Sequence, residues 1–293
     1  MGDEGIVLLA RDGSLVRHYL RALSKSKGAV FGAAVIAILT VVAVLAPFLA
    51  PYHPNHMTPA KRLQPPSPAY YFGTDGFGRD VLSRVFYGTR VSLGVGVCVV
   101  TITTVVGVML GLLAGFYGVV DNVVMRILDG MMAFPAIILQ IAIMAALGAR
   151  FINVVVALAI VYSPRMARVV RSAVLVQKEQ QYIEAAKSMG ASDLRIIMVH
   201  ILPNCVAPII IQATMIFAYA VLSEASLSFL GVGVPPEIPS WGNILEEGRT
   251  FIRRAPWMIS FPGLVIVVCV LALNLLGDGL RDILDPKIRK KQN

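Results

Sequence analysis

The chain has 293 residues, of which 57% are hydrophobic and only 15% are charged, and its mean hydropathy is +0.74. Because an ordinary soluble domain has roughly 45–50% apolar and about 25% charged residues, this composition excludes that class and indicates an integral membrane protein. The net charge of +9 is compatible with nucleic-acid binding, but basic residues in a membrane protein usually flank its spans. We therefore expect contact with membrane lipid and no nucleic-acid partner.

Six apolar runs with few charges follow one another along the chain, and most of them reach the roughly 20 residues that a spanning helix needs. They cover residues 28–52, 91–120, 130–149, 151 to about 172, 201–230 and 255–277. The fourth run is free of charged residues only as far as residue 164. We extend it to about residue 172 because the helical pattern of apolar residues continues that far. The sequence thus predicts an all-α, polytopic membrane protein with six transmembrane helices.

The distribution of lysine and arginine predicts the orientation of these spans. If the N-terminus is cytoplasmic, 17 of the 26 basic residues fall in cytoplasmic segments and 9 in external ones. Since cytoplasmic loops are enriched in basic residues, we expect both termini, and the segment between the fourth and fifth spans, in the cytoplasm. Trp241 and Trp257 then fall in the last external segment, where tryptophan favours the membrane–water interface.

The external segment after the first span is rich in proline and glycine, which predicts irregular coil and a domain boundary. After it, Val81, Leu82, Val85 and Phe86 recur at helical spacing. This pattern is typical of a short amphipathic helix that lies at the outer interface. We therefore divide the chain into residues 1–60 with the first span, 61–87 with the interfacial helix, a membrane core of 88–278 and a cytoplasmic tail of 279–293.

The motifs of nucleotide, metal and catalytic sites are not convincing in this sequence. The glycine-rich stretch 73–78 follows coil rather than a strand, which favours a structured turn over a phosphate-binding loop. The three cysteines lack metal-ligand spacing, and among the four histidines only His53 and His56 approach it, in a proline-rich loop with no carboxylate close by. Asp129 and Asp278 could serve an intramembrane aspartyl protease, but both lie near span ends, where polar residues in a protein interface are expected. We expect no catalytic, cofactor-binding or metal site.

Glu224 lies well inside the fifth apolar run, beside several serines. An ionisable group at membrane depth costs roughly 2.5–3.5 kcal/mol on insertion scales and usually faces protein or a water-filled cavity. Two alternatives remain open: a hydrogen bond between helices, or a residue of a translocation path or of an interface with another subunit. Gln212 and Asn274 are weaker candidates of the same kind, and Asp129 joins them as an interface candidate.

The segment from Glu184 to Asn204 differs from the apolar runs on either side of it. The pattern predicts a helix over 182–189, a corner at Gly190, and a second helix that runs to about Leu202 before Pro203. Ser192 or Asp193 is expected to cap the second helix. Ala185 and Ala186 carry almost no side chain, so another protein surface could approach closely. This pattern favours a cytoplasmic docking element.

These residues carry a resemblance. Glu184-Ala185-Ala186, then Gly190 and Leu202-Pro203, resembles the EAA loop of ABC-importer permeases, which docks in a groove of the ATPase. His200 stands where the family pattern has isoleucine. Residues 72–96, 121–139, 226–245 and 261–287 are similar to the C-type permease of dipeptide and oligopeptide importers, and the first span resembles the N-terminal extension of that subfamily.

The resemblance implies a type I ABC-importer permease fold in a bacterial inner membrane. It also implies a second permease subunit, two ATPase subunits that bind ATP and Mg²⁺, and an extracytoplasmic substrate-binding protein. The residues of the EAA loop would couple the chain to the ATPase, with Asp193 among them. Importers of nickel chelates and glutathione share this permease type, so the substrate class stays open. A channel and an intramembrane enzyme are alternatives from other classes.

Overall fold

The computed structural model describes residues 26–284 and consists of helices joined by short connections, apart from one longer coil between the first two. Residues 1–25 and 285–293, which include the predicted cytoplasmic N-terminal segment and most of the predicted tail, lie outside the described residues. We number the helices in chain order: α1 Lys27–Leu49, α2 Val81–Phe116, α3 Gly118–Met132, α4 Ala136–Leu147, α5 Phe151–Lys178, α6 Gln181–Ser188, α7 Asp193–Phe229, α8 Trp241–Arg249 and α9 Trp257–Leu284.

Five of the described helices, α1, α2, α5, α7 and α9, are long and apolar enough to cross a membrane. Helices α3 and α4 pass the same test only together, and they are bent by 94° at the break between them. The prediction of six spans is confirmed if this pair counts as one. The run predicted over 130–149 is not one continuous helix, because Pro135 at the break has no N–H and disfavours a helical residue before it.

The predicted interfacial helix after residue 80 is not a separate element. Its residues form the first turns of α2, a single helix of 36 residues whose N-terminus is capped by Asp80. Val81 and Val85 are 0% and 2% exposed, so this part of α2 is covered by protein rather than lying on the membrane surface. Arg84 is fully buried as well, where it bonds Asp75 at 2.7 Å and the carboxylate of Glu247 at 2.9 Å.

Asp75 also organises the glycine-rich stretch 73–78. One of its carboxylate oxygens accepts from the backbone N–H groups of Phe77 and Arg79 at 2.8 and 2.9 Å. Gly73 and Gly78 have φ of +72° and +74°, which glycine adopts at no steric cost. The prediction of a structured turn is therefore confirmed.

Helices α2 and α5 pack closely along a row of glycines on α2. A Cβ atom added at Gly107, Gly111 or Gly115 would lie 2.5–2.6 Å from atoms of α5. The three glycines are spaced four residues apart and therefore share one face of the helix. Such spacing lets two helices approach closely. The resulting van der Waals contact is one of the interactions that drive helix association within lipid.

Trp241 is buried inside the protein, so its side chain is not available to the membrane–water interface as the sequence predicts. It is 0% exposed at the start of α8, and its indole N–H donates to the carbonyl of Val85 at 3.3 Å. The half-buried Trp257 likewise donates to the carbonyl of Thr74, at 3.1 Å. Both indole donors are thus satisfied inside the protein, where the aromatic rings also add apolar contact.

Candidate functional site

The corner at Gly190 has the geometry that the sequence predicts. Helix α6 ends at Ser188, and Gly190 has φ of +79°. Its N–H donates to the carbonyl of Lys187 at 2.9 Å, and the N–H of Ala191 donates to Ala186 at 3.0 Å. This pair of bonds is the Schellman arrangement, which satisfies the last carbonyl groups of a helix and needs a left-handed residue at the corner.

The second helix of the segment does not end before Pro203. Helix α7 runs from Asp193 to Phe229 as one apolar element of 37 residues. Residues Ile196–Ile201 have π-helical hydrogen bonds, and the N–H of Leu202 donates to Ile197, five residues back. This wider turn comes directly before Pro203, whose ring would otherwise clash with the preceding turn, so the proline is accommodated rather than terminating the helix.

The capping prediction at the start of α7 is wrong. Ser192 occupies the N-cap position, but its side chain accepts no hydrogen bond from the first turn. The carboxylate of Asp193 instead accepts from the Tyr117 hydroxyl at 3.1 Å, which ties the segment to the end of α2. Partial desolvation, and then this hydrogen bond, raise the pKa of Tyr117 above its ordinary value.

The segment has one face toward the protein's own core. Ile183, Ile196 and Ile201 are 0% exposed, and they belong to the same core cluster as Phe116 at the end of α2. Ala186 is only 4% exposed and packs in this cluster too. Ala186 is therefore not available to a partner in this conformation, whereas Ala185 is exposed. Since Ala186 lies three residues after Ile183, the two share the inner face of α6.

The opposite face is exposed and carries apolar side chains. Glu184 and Ala185 on α6 are exposed, and Met189 and Leu194 on either side of the corner are 82% and 71% exposed. We call these four residues the docking face. Two lysines contact Phe116 at the end of α2: Lys178 donates to its carbonyl at 2.8 Å, and the Lys187 ammonium lies 5.7 Å from the centre of its ring.

Glu224 is fully buried within this chain. Its carboxylate accepts from the hydroxyl of Ser92 on α2 at 2.7 Å and from that of Ser228, one turn further along α7, at 2.9 Å. Ser92 lies within 3.4 Å of the backbone N–H of Trp241. Of the two alternatives that the sequence left open, the observed arrangement is a hydrogen bond between helices.

The other candidates are scattered over the described chain. Gln212 on α7 and Asn274 on α9 are both half-buried. Asp129, near the end of α3, is largely exposed and pairs with Arg168 of α5 at 2.6 Å. Leu202 is half-buried, whereas Pro203 is exposed. The structure therefore does not bring the predicted path residues together.

A different set of polar groups does come together within the spans, and the sequence analysis missed it. The hydroxyl oxygens of Tyr162 on α5 and Ser223 on α7 are 2.6 Å apart, and the amide nitrogen of Gln140 on α4 lies 3.5 Å from Ser223. The guanidinium of Arg165 lies 5.4 Å from the centre of the Tyr162 ring and 5.2 Å from that of Tyr219. We call these five residues the polar track.

Arg165 was the available signal for the polar track. It lies inside the fourth predicted span, but the charge count assigns it to a cytoplasmic segment. Next to it, starting at Arg168 one turn further along α5, a groove of about 490 Å³ opens between α5 and α7. The groove is lined by polar and small side chains together with a few valines: Arg168, Val169, Ser172, Ala173, Val176, Gln177, Asn204 and Pro208. Arg165, Arg168 and Ser172 recur every three or four residues, so the polar track and the groove follow one face of α5.

Comparison with protein families gives two matches along this chain. Residues 107–290 match the family described as binding-protein-dependent transport system inner membrane component. Residues 14–66 match the N-terminal transmembrane domain of oligopeptide transport permease C. Together these matches cover the first span, the docking face, the groove and the polar track.

Curated relatives match over nearly the whole chain. The dipeptide transport system permease protein DppC of Alkalihalophilus pseudofirmus is 46% identical, over 93% of this chain and 90% of its own length. The di/tripeptide transport system permease protein DppC of Pseudomonas aeruginosa is 42% identical, over 96% of both. The glutathione transport system permease protein GsiD of Pectobacterium atrosepticum is 44% identical, over 93% of this chain and 91% of its own length.

Among solved structures, a chain of the MetNI methionine ABC transporter in an inward-facing conformation is similar in fold. Its TM-score is 0.58 at 21% sequence identity, over 69% of this chain and 96% of that one. The fold is thus that of a type I ABC-importer permease, as predicted. The family match and the identities above 40% agree with it. The chain therefore belongs to the family of inner membrane components of binding-protein-dependent transport systems.

Proposed function

We propose that this chain is the permease subunit of an ATP-driven importer of dipeptides and oligopeptides, in which it forms half of the translocation path. It performs no covalent chemistry itself, and ATP and Mg²⁺ bind to separate ATPase subunits. A second permease completes the path, and an extracytoplasmic binding protein delivers the substrate. The complex resides in a bacterial inner membrane, with both termini of this chain in the cytoplasm. The relatives named for dipeptide transport support this substrate class.

The observation that carries the coupling role is the exposure of Met189 and Leu194. These side chains flank the corner at Gly190 and are 82% and 71% exposed, although the nearby Ile183 and Ile196 are buried in a core cluster. Large apolar side chains exposed beside a polar rim are typical of a protein interaction site. Glu184 and Lys187 provide that rim. In our proposal the ATPase covers the docking face.

The continuity of α7 supplies a mechanical link from the docking face to the membrane interior. The helix has 37 residues, and at a rise of 1.5 Å per residue it extends about 55 Å. It carries Leu194 near one end and Tyr219 and Ser223 of the polar track further along. Movement of the ATPase would tilt α7 as a unit, so the path would switch sides between two discrete packings.

The coupling role can be tested by charged substitutions on the docking face. Burial of a methionine or leucine side chain is worth roughly 1.5–3 kcal/mol, so Met189→Asp with Leu194→Asp should weaken ATPase binding at least tenfold. The measurement is co-purification of the ATPase from membranes that contain equal amounts of the permease pair. Met57→Asp, at a 53% exposed position in the coil between α1 and α2, is the matched control. Equal ATPase recovery from the double variant and the control would reject the docking face.

Glutathione is a second candidate substrate, supported by the relative named for glutathione transport. Uptake of labelled dipeptide, glutathione and Ni²⁺ by cells that lack this chain, with and without its gene restored, separates the possibilities. We expect restoration of dipeptide uptake. Restoration of glutathione or Ni²⁺ uptake alone would retain the architecture and overturn the peptide assignment.

A further inference from the structure

Three arginines follow one another at intervals of three along α5, and they differ in their partners. Arg168 pairs with Asp129 at 2.6 Å, and Arg171 pairs with Asp121; both carboxylates lie on α3. Arg165 has no carboxylate partner within 4 Å among residues 26–284. Its positive charge is therefore the one in this row that the described chain does not neutralise.

Arg165 also lies farthest from either end of its helix. It is 14 residues from Phe151 and 13 from Lys178, which corresponds to about 20 Å of helix on each side. With a hydrocarbon layer of about 30 Å, this position falls at membrane depth. A charged side chain there faces protein or a water-filled cavity rather than lipid, and it indicates a substrate or ion pathway.

Two aromatic rings, rather than a carboxylate, contact the guanidinium of Arg165. The guanidinium lies over the rings of Tyr162 and Tyr219, and a cation–π contact of this kind is worth about 0.5–2 kcal/mol. A hydrogen bond between charged groups is worth about as much or more, so a carboxylate can compete for the guanidinium. The guanidinium can be approached from the side of Tyr219, because that residue is 46% exposed.

A second observation points to a polar ligand at the polar track. Gln140 is 1% exposed, and its amide oxygen has no hydrogen-bond partner among the described residues. A buried amide oxygen without a donor is unfavourable, so in this conformation the track has an unused acceptor as well as an unneutralised cation. A peptide terminus offers both complementary groups: a carboxylate for Arg165 and N–H donors for Gln140.

We propose that Arg165, held between Tyr162 and Tyr219, binds the terminal carboxylate of the peptide as it passes along the polar track. This proposal rests on the proposed function, since it takes a peptide as the cargo. The guanidinium leaves the aromatic rings for the carboxylate and returns to them once the peptide has entered the groove toward Arg168. Because the aromatic contact is restored after each passage, the cargo is held only transiently.

The test compares a dipeptide with a free carboxylate and the same dipeptide with an amidated C-terminus. Uptake is measured in proteoliposomes that contain the complete complex, at concentrations that saturate the isolated binding protein with either peptide. Arg165→Gln should slow uptake of the free acid about tenfold or more and leave uptake of the amide within about twofold. Arg165→Lys keeps the charge and should retain most of the preference for the acid. Arg171→Gln removes a paired arginine from the same helix and should not change the acid-to-amide ratio.

Any other result for the Arg165→Gln complex overturns the inference. An Arg165→Gln complex that slows both peptides equally, or that fails to assemble, indicates that Arg165 serves packing or assembly rather than recognition of the peptide carboxylate. Unchanged uptake of both peptides shows that the arginine is dispensable. A wild-type complex that imports neither peptide refutes the proposed function itself, which keeps the two failures distinguishable.

Discussion

The corner at Gly190 gives the sharpest test of how the docking face is held. A Cβ atom added at Gly190 would meet nothing within 4 Å, so the cost of Gly190→Val comes from the backbone alone. At φ of +79° that cost is roughly 1–2 kcal/mol for a residue with a side chain, and more for a β-branched one. Relief of the strain would break the bonds from Gly190 to Lys187 and from Ala191 to Ala186.

The expected phenotype is specific to coupling. A penalty of 1–2 kcal/mol lowers the equilibrium constant between the native corner and its relaxed alternatives by a factor of about 5–30. Helices α5 and α7 pack on other spans, so the variant should insert at normal membrane levels. We expect the ATP hydrolysis stimulated by substrate-loaded binding protein to fall by up to this factor, together with weaker recovery of the ATPase in pull-downs.

Gly190→Asn is the matched control, because asparagine tolerates the left-handed region better than other residues with a side chain. It should retain most of the stimulated hydrolysis. If Gly190→Val keeps both hydrolysis and ATPase recovery at wild-type levels in reconstituted complexes, the corner does not position a coupling element and the argument is wrong.

Three further predictions concern packing, the buried carboxylate and orientation. Gly111→Ala puts a Cβ 2.6 Å from a carbonyl oxygen of α5, which should cost about 1–3 kcal/mol and lower the thermal midpoint of unfolding in detergent. The control is Gly94→Ala on the same helix, where the added Cβ meets nothing within 4 Å. Equal midpoints for the two variants would contradict the packing argument. Glu224→Ala leaves two serine hydroxyls without their acceptor, at a cost of about 1–3 kcal/mol. The complex should still assemble, but its thermal midpoint and its transport rate should both fall. Normal uptake and an unchanged midpoint would show that the carboxylate is dispensable. In a background without native cysteines, a cysteine at the exposed position of Arg253 should react from outside and one at Ser188 only after permeabilisation; external labelling at Ser188 would refute the orientation.

Several features could be predicted because they depend on a short stretch of chain. The length and apolarity of a run decide whether a helix can cross the bilayer, so the number of spans followed from composition along the sequence. The corner at Gly190 depends on one backbone conformation that glycine favours, and it was predicted together with the helix before it. The close packing of α2 on α5 was also accessible, since Gly107, Gly111 and Gly115 have the small-residue spacing of helix contacts.

The tertiary structure decided which face of each helix is covered and which polar groups meet. Ala186 turned inward and Trp241 was buried because residues distant in sequence pack against them. The partners of Glu224 come from α2 and from one turn further along α7, and those of Arg165 include a ring on a helix more than 50 residues away. Helical periodicity fixes which residues share a face, but it does not fix which other helix that face meets. For this reason the sequence identified a buried carboxylate as the candidate for the path, whereas the assembled helices bring together the guanidinium of Arg165, two aromatic rings and the unpaired amide oxygen of Gln140.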